Sequence, residues 1–373
     1  MLSPKTKRNI ARIIPFGIIW LVLALVFLTT EQVIFNSTDS SSSSAIQVDY
    51  KVFVFACLAV TGVGLLVGTI ELLFLNNLFA KKSFLKKISY KLVLYLAFSF
   101  TIILIMFPIA ASIELETHVL DNQVWKKYFD FLSSAEYLTT FLQIMVSLGI
   151  SLVYAEISDN IGHGVLINFF TGKYHTPKEE ERIFMFADMK SSTAIAETLG
   201  HIKYFELLRM YYVDISNAIV NSYGEVYQYV GDEIVVSWKF EKGIQNNNCI
   251  QCFFNMKRDL KKKSHRYQKH FDVSPDFKAG FHFGKVTTGE IGALKKEIIF
   301  TGDVLNTTAR IQSLCNANAV DIIVSDHLLN HLNLGKEFKI RSLGENKLKG
   351  KEKTIALSTL FRHTAAPWTP NVT

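Results

Sequence analysis

Four long apolar runs occupy most of the first 155 residues, and they constrain the chain more than any other feature. A helix that crosses a bilayer needs about 20 consecutive, mostly apolar residues. The runs from Ile13 to Thr30, Val52 to Leu75, Leu92 to Ile113 and Tyr137 to Ala155 each approach that length. The fourth is the most polar, with Thr139, Thr140, Gln143, Ser147 and Ser151 at spacings that can share one helix face. It is counted as a span because three spans alone would leave the C-terminal half on the wrong side. Lys5, Lys7, Arg8 and Arg12 precede the first run, and Lys81, Lys82, Lys86, Lys87 and Lys91 fill the second connection. The positive-inside rule makes both cytoplasmic. The first connection, with Glu31, Asp39, Asp49 and the run Ser40 to Ser44, and the third, around Glu114 to Asp130, then lie outside. A multi-pass protein of the cell (inner) membrane with its C-terminal domain in the cytoplasm is expected.

The first run is too long for the apolar core of a signal peptide, and no small-residue cleavage site follows it. A hydrophobic fraction of 49% excludes a disordered chain, and four cysteines in 373 residues exclude a disulfide scaffold. Glu71 falls near the cytoplasmic end of its span, where it is expected to reach interfacial water. Pro108 reads as a kink.

The expected organisation is a four-span all-α domain over 1–156, a helical linker over 157–180, a mixed domain over 181–362 and a disordered tail over 363–373. Gly162, Gly164, Gly172 and Pro177 punctuate the linker. From Arg182 the run RIFMFAD reads as a strand ending on Asp188, and Ser191, Ser192 and Thr193 signal a helix start. The runs EVYQYV and EIVVSW, separated by Gly231 and Asp232, read as a hairpin. A helix over about 243–263, the strands FKAGFHFG, KVTTGEIG and EIIFT, and a helix opened by Gly302 and Asp303 follow. That order, βαββαβ with additions, predicts an α+β domain with a ferredoxin-like core, an antiparallel sheet and helices on one face.

Adjacent strands would bring Asp188 and Asp232 to one sheet edge beside a helix N-terminus, an arrangement suited to hard divalent cations carrying a phosphate chain. Both positions also favour Asp for local reasons, as a cap and as a turn residue. Asn306 and Arg310, at i and i+4, project an amide and a phosphate-shaped guanidinium fork from one helix face.

FADMKSST, YQYVGDEIVVSW, the Gly289 to Gly292 segment and TGDVLNTTAR, in this order and spacing, resemble the class III nucleotide cyclase catalytic domain. The likeness covers about Arg182 to Arg362, and four spans ahead of it resemble a membrane-bound bacterial adenylate cyclase. The resemblance implies metal-binding aspartates at Asp188 and Asp232, holding two Mg2+ or Mn2+ per site. It implies that Asn306 and Arg310 orient the ribose and stabilise the transition state, and that Lys349 binds the triphosphate, with Lys351 as the second choice. Ser192 and Thr193 open the helix expected beside the substrate. It also implies ATP as substrate, cyclic AMP and pyrophosphate as products, and a homodimer in which one chain supplies the aspartates and its partner supplies Asn306, Arg310 and Lys349.

The base-reading positions depart from the family pattern. Adenylate cyclases of the family usually carry Lys and Asp or Thr where this chain has Gln228 and Ile299, and guanylate cyclases carry Glu and Cys. A Gln amide can donate or accept, so it does not by itself choose between adenine and guanine. Three alternatives stay open: a guanylate cyclase, a nucleotide-binding receptor without turnover, and a diguanylate cyclase suggested by VGDEI. The last is disfavoured because TGDVLNTTAR has no place in that family's pattern. Cys249 and Cys252 lack a second ligand pair and do not read as zinc ligands. The basic run from Lys257 to His270 reads as a face toward anionic membrane lipid, with no nucleic-acid partner expected.

Overall fold

The structure, a computed structural model, describes residues 3–37, 46, 48–75, 78 and 84–362. The tail expected over 363–373, Asp39, the serine run Ser40 to Ser44, Lys81 and Lys82 lie outside the described residues. The chain divides into two compact units, one spanning Thr6–Ile167 and the other starting at Asn168.

The first unit contains helices α1 (Pro4–Ser37), α2 (Tyr50–Ile70), α3 (Phe84–Glu114), α4 (Asn122–Leu132) and α5 (Ala135–Ile161). Among the described residues, four segments are long and apolar enough to cross a membrane: Pro4–Thr30, Tyr50–Leu75, Ser89–Glu114 and Ala135–Ile161. Small residues set their packing. A Cβ at Gly64 would stand 2.8 Å from Trp20 Cγ, and one at Gly68 would stand 2.8 Å from the Phe16 ring. Glycine at both positions therefore lets α1 and α2 approach closely. The Trp20 indole donates to Ser151 Oγ at 3.0 Å, which satisfies a buried polar atom among apolar side chains.

Past α2 the backbone makes one π-helical turn, Glu71–Leu75. Glu71 does not reach interfacial water, contrary to the sequence expectation. It is fully buried, ion-paired with the equally buried Lys91, and accepts a hydrogen bond from Tyr95 Oη at 3.0 Å. A carboxylate and an ammonium that neutralise each other avoid the cost of an isolated buried charge. Helix α4 was not expected. Asp121 caps it by accepting from Gln123 N at 2.8 Å, and it buries Val124, Tyr128 and Phe131, with Phe131 stacked on Phe107 at 4.0 Å.

Gly162, at φ 94, ends α5, and a short helix α6 (His163–Phe170) follows. The second unit is built on an eight-stranded sheet in the order β2-β3-β1-β4-β6-β8-β7, with β5 paired to β4. The strands are β1 (Lys178–Met189), β2 (Glu225–Val230), β3 (Glu233–Lys239), β4 (Phe277–Ile291), β5 (Glu297–Thr301), β6 (Ile322–Ser325), β7 (Phe338–Lys347) and β8 (Thr354–Arg362). Helices α7 (Ser192–Asn221), α8 (Asn248–Lys262), α9 (Ser264–Phe271) and α10 (Asp303–Ala317) accompany it, with two short helices at Phe240–Ile244 and Asp326–Leu329.

The expected βαββαβ core is present, with three differences. The sheet is mixed, because β4 and β6 run parallel. The two strands expected over FKAGFHFG and KVTTGEIG are one continuous strand, since β4 pairs with β1 along twelve residue pairs and then continues to β5. Helices cover both faces. Ile183, Met185, Ala187 and Met189 pack on α7 and α8 through Leu207, Tyr211, Phe253 and Met256. Phe184 and Phe186 point the other way, toward Val304 of α10. Each large apolar side chain buried in this way contributes about 1.5–3 kcal/mol of transfer free energy, which holds β1 firmly between the two helical layers. Asp188 stands at its end.

Candidate active site

Register fixes the acidic end of the sheet. Asp188 lies opposite Glu233 of β3 on one side and opposite Lys278 of β4 on the other. The β2–β3 hairpin turns through Gly231, at φ 63, and Asp232, the two-residue loop expected from the sequence. Tyr212 of α7 holds its tip, donating to Gly231 O at 2.8 Å, with its ring tilted against that of Tyr229 at 4.5 Å.

Asp188 and Asp232 converge as expected. Burial and then the facing Asp232 carboxylate push the Asp188 carboxyl above its ordinary range, against the pull of Lys278. Glu233 is pushed up by burial and then by both aspartates. Converging carboxylates whose negative charges crowd one another in this way mark a place for a cation. Among the described residues no three His, Cys, Asp or Glu side chains form a ready-made metal cage. Two aspartate oxygens fit Mg2+ or Mn2+, which keep open positions for water and substrate phosphates. Ser192, the first residue of α7, lies within hydrogen-bonding reach of Tyr204, and Thr193 is exposed. No side chain caps the start of α7, so its first amides remain available to an anion.

Two partners of Asp188 were missed by the sequence reading. Lys278 Nζ stands 3.3 Å from Asp188 Oδ2, and Gln312 of α10 donates to the same oxygen at 3.2 Å. Neither has a sequence signal, because each reaches Asp188 only through sheet register or helix packing.

Asn306 is exposed and Arg310 half-buried, and both lie on α10. A helix advances roughly 100° per residue, so Gln312 lies about 200° around α10 from Arg310 and about 120° from Asn306. The face of α10 that meets Asp188 is therefore not the face that carries Asn306 and Arg310. The chain holds both sets of expected site residues, and it does not bring them together. Arg310 instead borders the Leu348–Lys351 turn, where a Cβ at Gly350 would stand 3.5 Å from its Nη2. In that turn Lys349 is exposed, whereas Lys351 is ion-paired with Asp303 at the head of α10.

Gln228 is exposed on β2 and Ile299 half-buried on β5. Their sequence neighbours join the two strands. Tyr227 Oη accepts from Phe300 N at 3.2 Å, and the two rings lie 4.7 Å apart. The Cys249 and Cys252 thiols are fully buried in the α8 core, which pushes Cys249 up to about 12 and Cys252 well above its ordinary value.

The model of the family described as "Adenylate and Guanylate cyclase catalytic domain" matches residues 175–359. This segment, which holds the acidic site and all of α10, belongs to that family of class III nucleotide cyclase domains. Among its relatives, "Adenylate cyclase 2" of Rhizobium meliloti (strain 1021) is 29% identical over 223 residues, covering 60% of this chain and 61% of that protein. "Adenylate cyclase" of Anabaena cylindrica is 25% identical over 180 residues, covering 46% of this chain and 35% of that protein. The chain thus spans less than two thirds of the length of either relative. A bacterial light-regulated adenylyl cyclase shares the fold, with a TM-score of 0.52 and 19% identity over 61% of this chain and 66% of that one.

Proposed function

We propose that this protein is a membrane-anchored adenylate cyclase, converting ATP to 3′,5′-cyclic AMP and pyrophosphate at sites shared by two copies of the chain. One observation carries the reading: Asp188 and Asp232 converge beside the uncapped start of α7, in a domain of the cyclase family. The related proteins named adenylate cyclase favour ATP. The four apolar segments favour a membrane anchor, with the domain on the cytoplasmic face of the inner membrane.

Asp188 and Asp232 would hold two divalent cations. Bound there, the cations supply a lowered pKa for the ribose 3′-hydroxyl and charge neutralisation for the triphosphate. The 3′-oxygen attacks the α-phosphorus and releases its proton to solvent. The bond from that phosphorus to the bridging oxygen breaks, and pyrophosphate leaves with the electron pair. Arg310 of a second copy offsets the charge that builds on the α-phosphoryl oxygens, Asn306 orients the ribose, and Lys349 holds the polyphosphate. The opposed faces of α10 support this division, since a chain whose Asn306 and Arg310 turn away from its own aspartates needs another chain. Gln228 would meet the purine edge, and Ile299 would pack on its face.

Membranes containing the full chain, incubated with ATP or GTP and Mg2+ or Mn2+, test the reading when cyclic products are identified by mass. Cyclic AMP, lost in Asp232→Ala, is the expected outcome. Cyclic GMP alone would reverse the substrate assignment. Folded, dimeric protein silent with both nucleotides would refute the enzyme.

A further inference from the structure

One turn of the active site carries backbone strain, and a ring of charges stands directly behind it. Ser191, between Asp188 and the first residue of α7, has φ 54 and ψ 28. That left-handed conformation is uncommon for any residue other than glycine and persists only where its surroundings enforce it. The preceding residue is tightly held. Lys190 N donates to Asp276 O at 2.9 Å, and Lys190 Nζ is ion-paired with Asp276 at 2.9 Å and with Asp321. Lys257 of α8 grips the same two carboxylates, at 2.5 Å and 2.8 Å. Asp321 is itself anchored to the sheet, its carbonyl accepting from Ala279 N of β4 at 2.8 Å. Two ammonium groups and two carboxylates thus close a neutral ring that ties the end of β1 to β4 and to α8.

The ring sets the role of Lys190 apart from that of the other lysine at this site. Lys278 touches Asp188 itself, whereas Lys190 is committed to two acids that belong to no expected substrate or metal contact. We propose that Lys190 is a positioning residue: locked between Asp276 and Asp321, it holds the Ser191 turn in the conformation that aims Asp188 and the first amides of α7 at a metal-bound triphosphate. This inference rests on the cyclase reading of the site and extends it to a residue outside the expected set. Released from the ring, the turn would relax toward an ordinary conformation, and the Asp188 carboxylate, three residues before Ser191, would swing with it.

Two measurements on the full-length protein in detergent test the inference: Mn2+ affinity by electron paramagnetic resonance, and KM against kcat for metal–ATP. Removing a group that orients a metal ligand typically costs roughly 10- to 100-fold in metal affinity, and Lys190→Met is expected to weaken Mn2+ binding and raise KM in that range. Lys190→Arg should restore most of the loss. Lys262→Met, at the exposed end of the same helix α8 and outside the ring, should stay close to wild type and controls for the loss of a lysine as such. Ser191→Gly is the decisive variant, because it removes the strain that Lys190 opposes. In the Lys190→Met background it should recover Mn2+ affinity and KM, which neither a purely structural role nor direct phosphate contact by Lys190 would predict. Unchanged Mn2+ affinity in folded Lys190→Met, or a loss that Ser191→Gly does not repair, would overturn the proposal. Mn2+ binding is read without turnover, so a chain that made no cyclic nucleotide would fail the cyclase reading and leave this comparison standing.

Discussion

Gly280 and Gly284 sit four residues apart on β4, and alanine should behave oppositely at the two. A Cβ at Gly280 would lie 2.4 Å from Gln312 N and 2.7 Å from Gln312 Cα, both backbone atoms of α10. A Cβ at Gly284 would lie 3.5 Å from Val304, an ordinary contact. Relieving the first clash requires α10 to retreat from the sheet by about 1 Å, the gap between 2.4 Å and normal contact. Overpacking of this kind costs ~1–3 kcal/mol, or about 2–12 °C in Tm for a unit of some 200 residues. The retreat also carries Gln312 away from Asp188 and shifts Asn306 and Arg310. A displacement of about 1 Å at reacting groups can cost 10²-fold in rate. Gly280→Ala should therefore lower both the unfolding temperature of the solubilised protein and its rate of cyclic nucleotide formation, while Gly284→Ala leaves both nearly unchanged. Indistinguishable variants would refute the close approach of β4 and α10.

Three further outcomes follow from the geometry. Asp188→Ala and Arg310→Ala, each inactive alone, should regain activity when co-expressed, because a mixed dimer rebuilds one intact site; no recovery from demonstrated mixed dimers would sink the shared site. Lys91→Met should cost ~3–5 kcal/mol by leaving the buried Glu71 carboxylate without its ammonium, and adding Glu71→Met should recover most of that loss; proteolytic resistance of the helical unit would rank them, and a double variant no better than Lys91→Met would contradict the pairing. Burial, then His327 and Lys351, lowers the His282 pKa to about 4, and its Nδ1 lies 2.7 Å from Ser325 Oγ. Between pH 6.5 and 4 the unfolded chain binds this proton and the folded chain does not. The contribution of His282, complete above pH 6.5, is thus lost as pH falls, by up to about 3 kcal/mol. His282→Gln should flatten the stability profile in that window, and an unchanged slope would rule the assignment out.

How much of this was legible depended on how local each signal is. Asp188, Asp232, Asn306 and Arg310 lie in short motifs, and the hairpin through Gly231 and Asp232 was readable because its loop chemistry is local. The helices on both faces were legible in principle. RIFMFAD lacks the alternation of a half-exposed strand, and an uninterrupted apolar run means burial on two sides. The continuity of β4 was hidden because Gly284 reads as punctuation, and only its long pairing with β1 carries the strand through. Glu71 was misplaced for a similar reason. Its partner Lys91 had been assigned to the charge of a connection, and nothing local reveals that a helix turns that lysine inward. Lys278 and Gln312 reach Asp188 from 90 and 124 positions away, a distance at which only the folded chain speaks.

The opposed faces of α10 also have a consequence for gene dosage. On the shared-site reading, a chain lacking Arg310 alone still lends its aspartates to a normal partner, and each mixed pair keeps one working site. A chain lacking both Asp188 and Arg310 silences both sites of any pair it enters. Expressed in equal amount with the normal chain, the first defect would leave about half of the activity and the second about a quarter, because only pairs of two normal chains survive. The more complete lesion would thus be dominant, and the milder one close to additive, for no reason other than which way one helix faces.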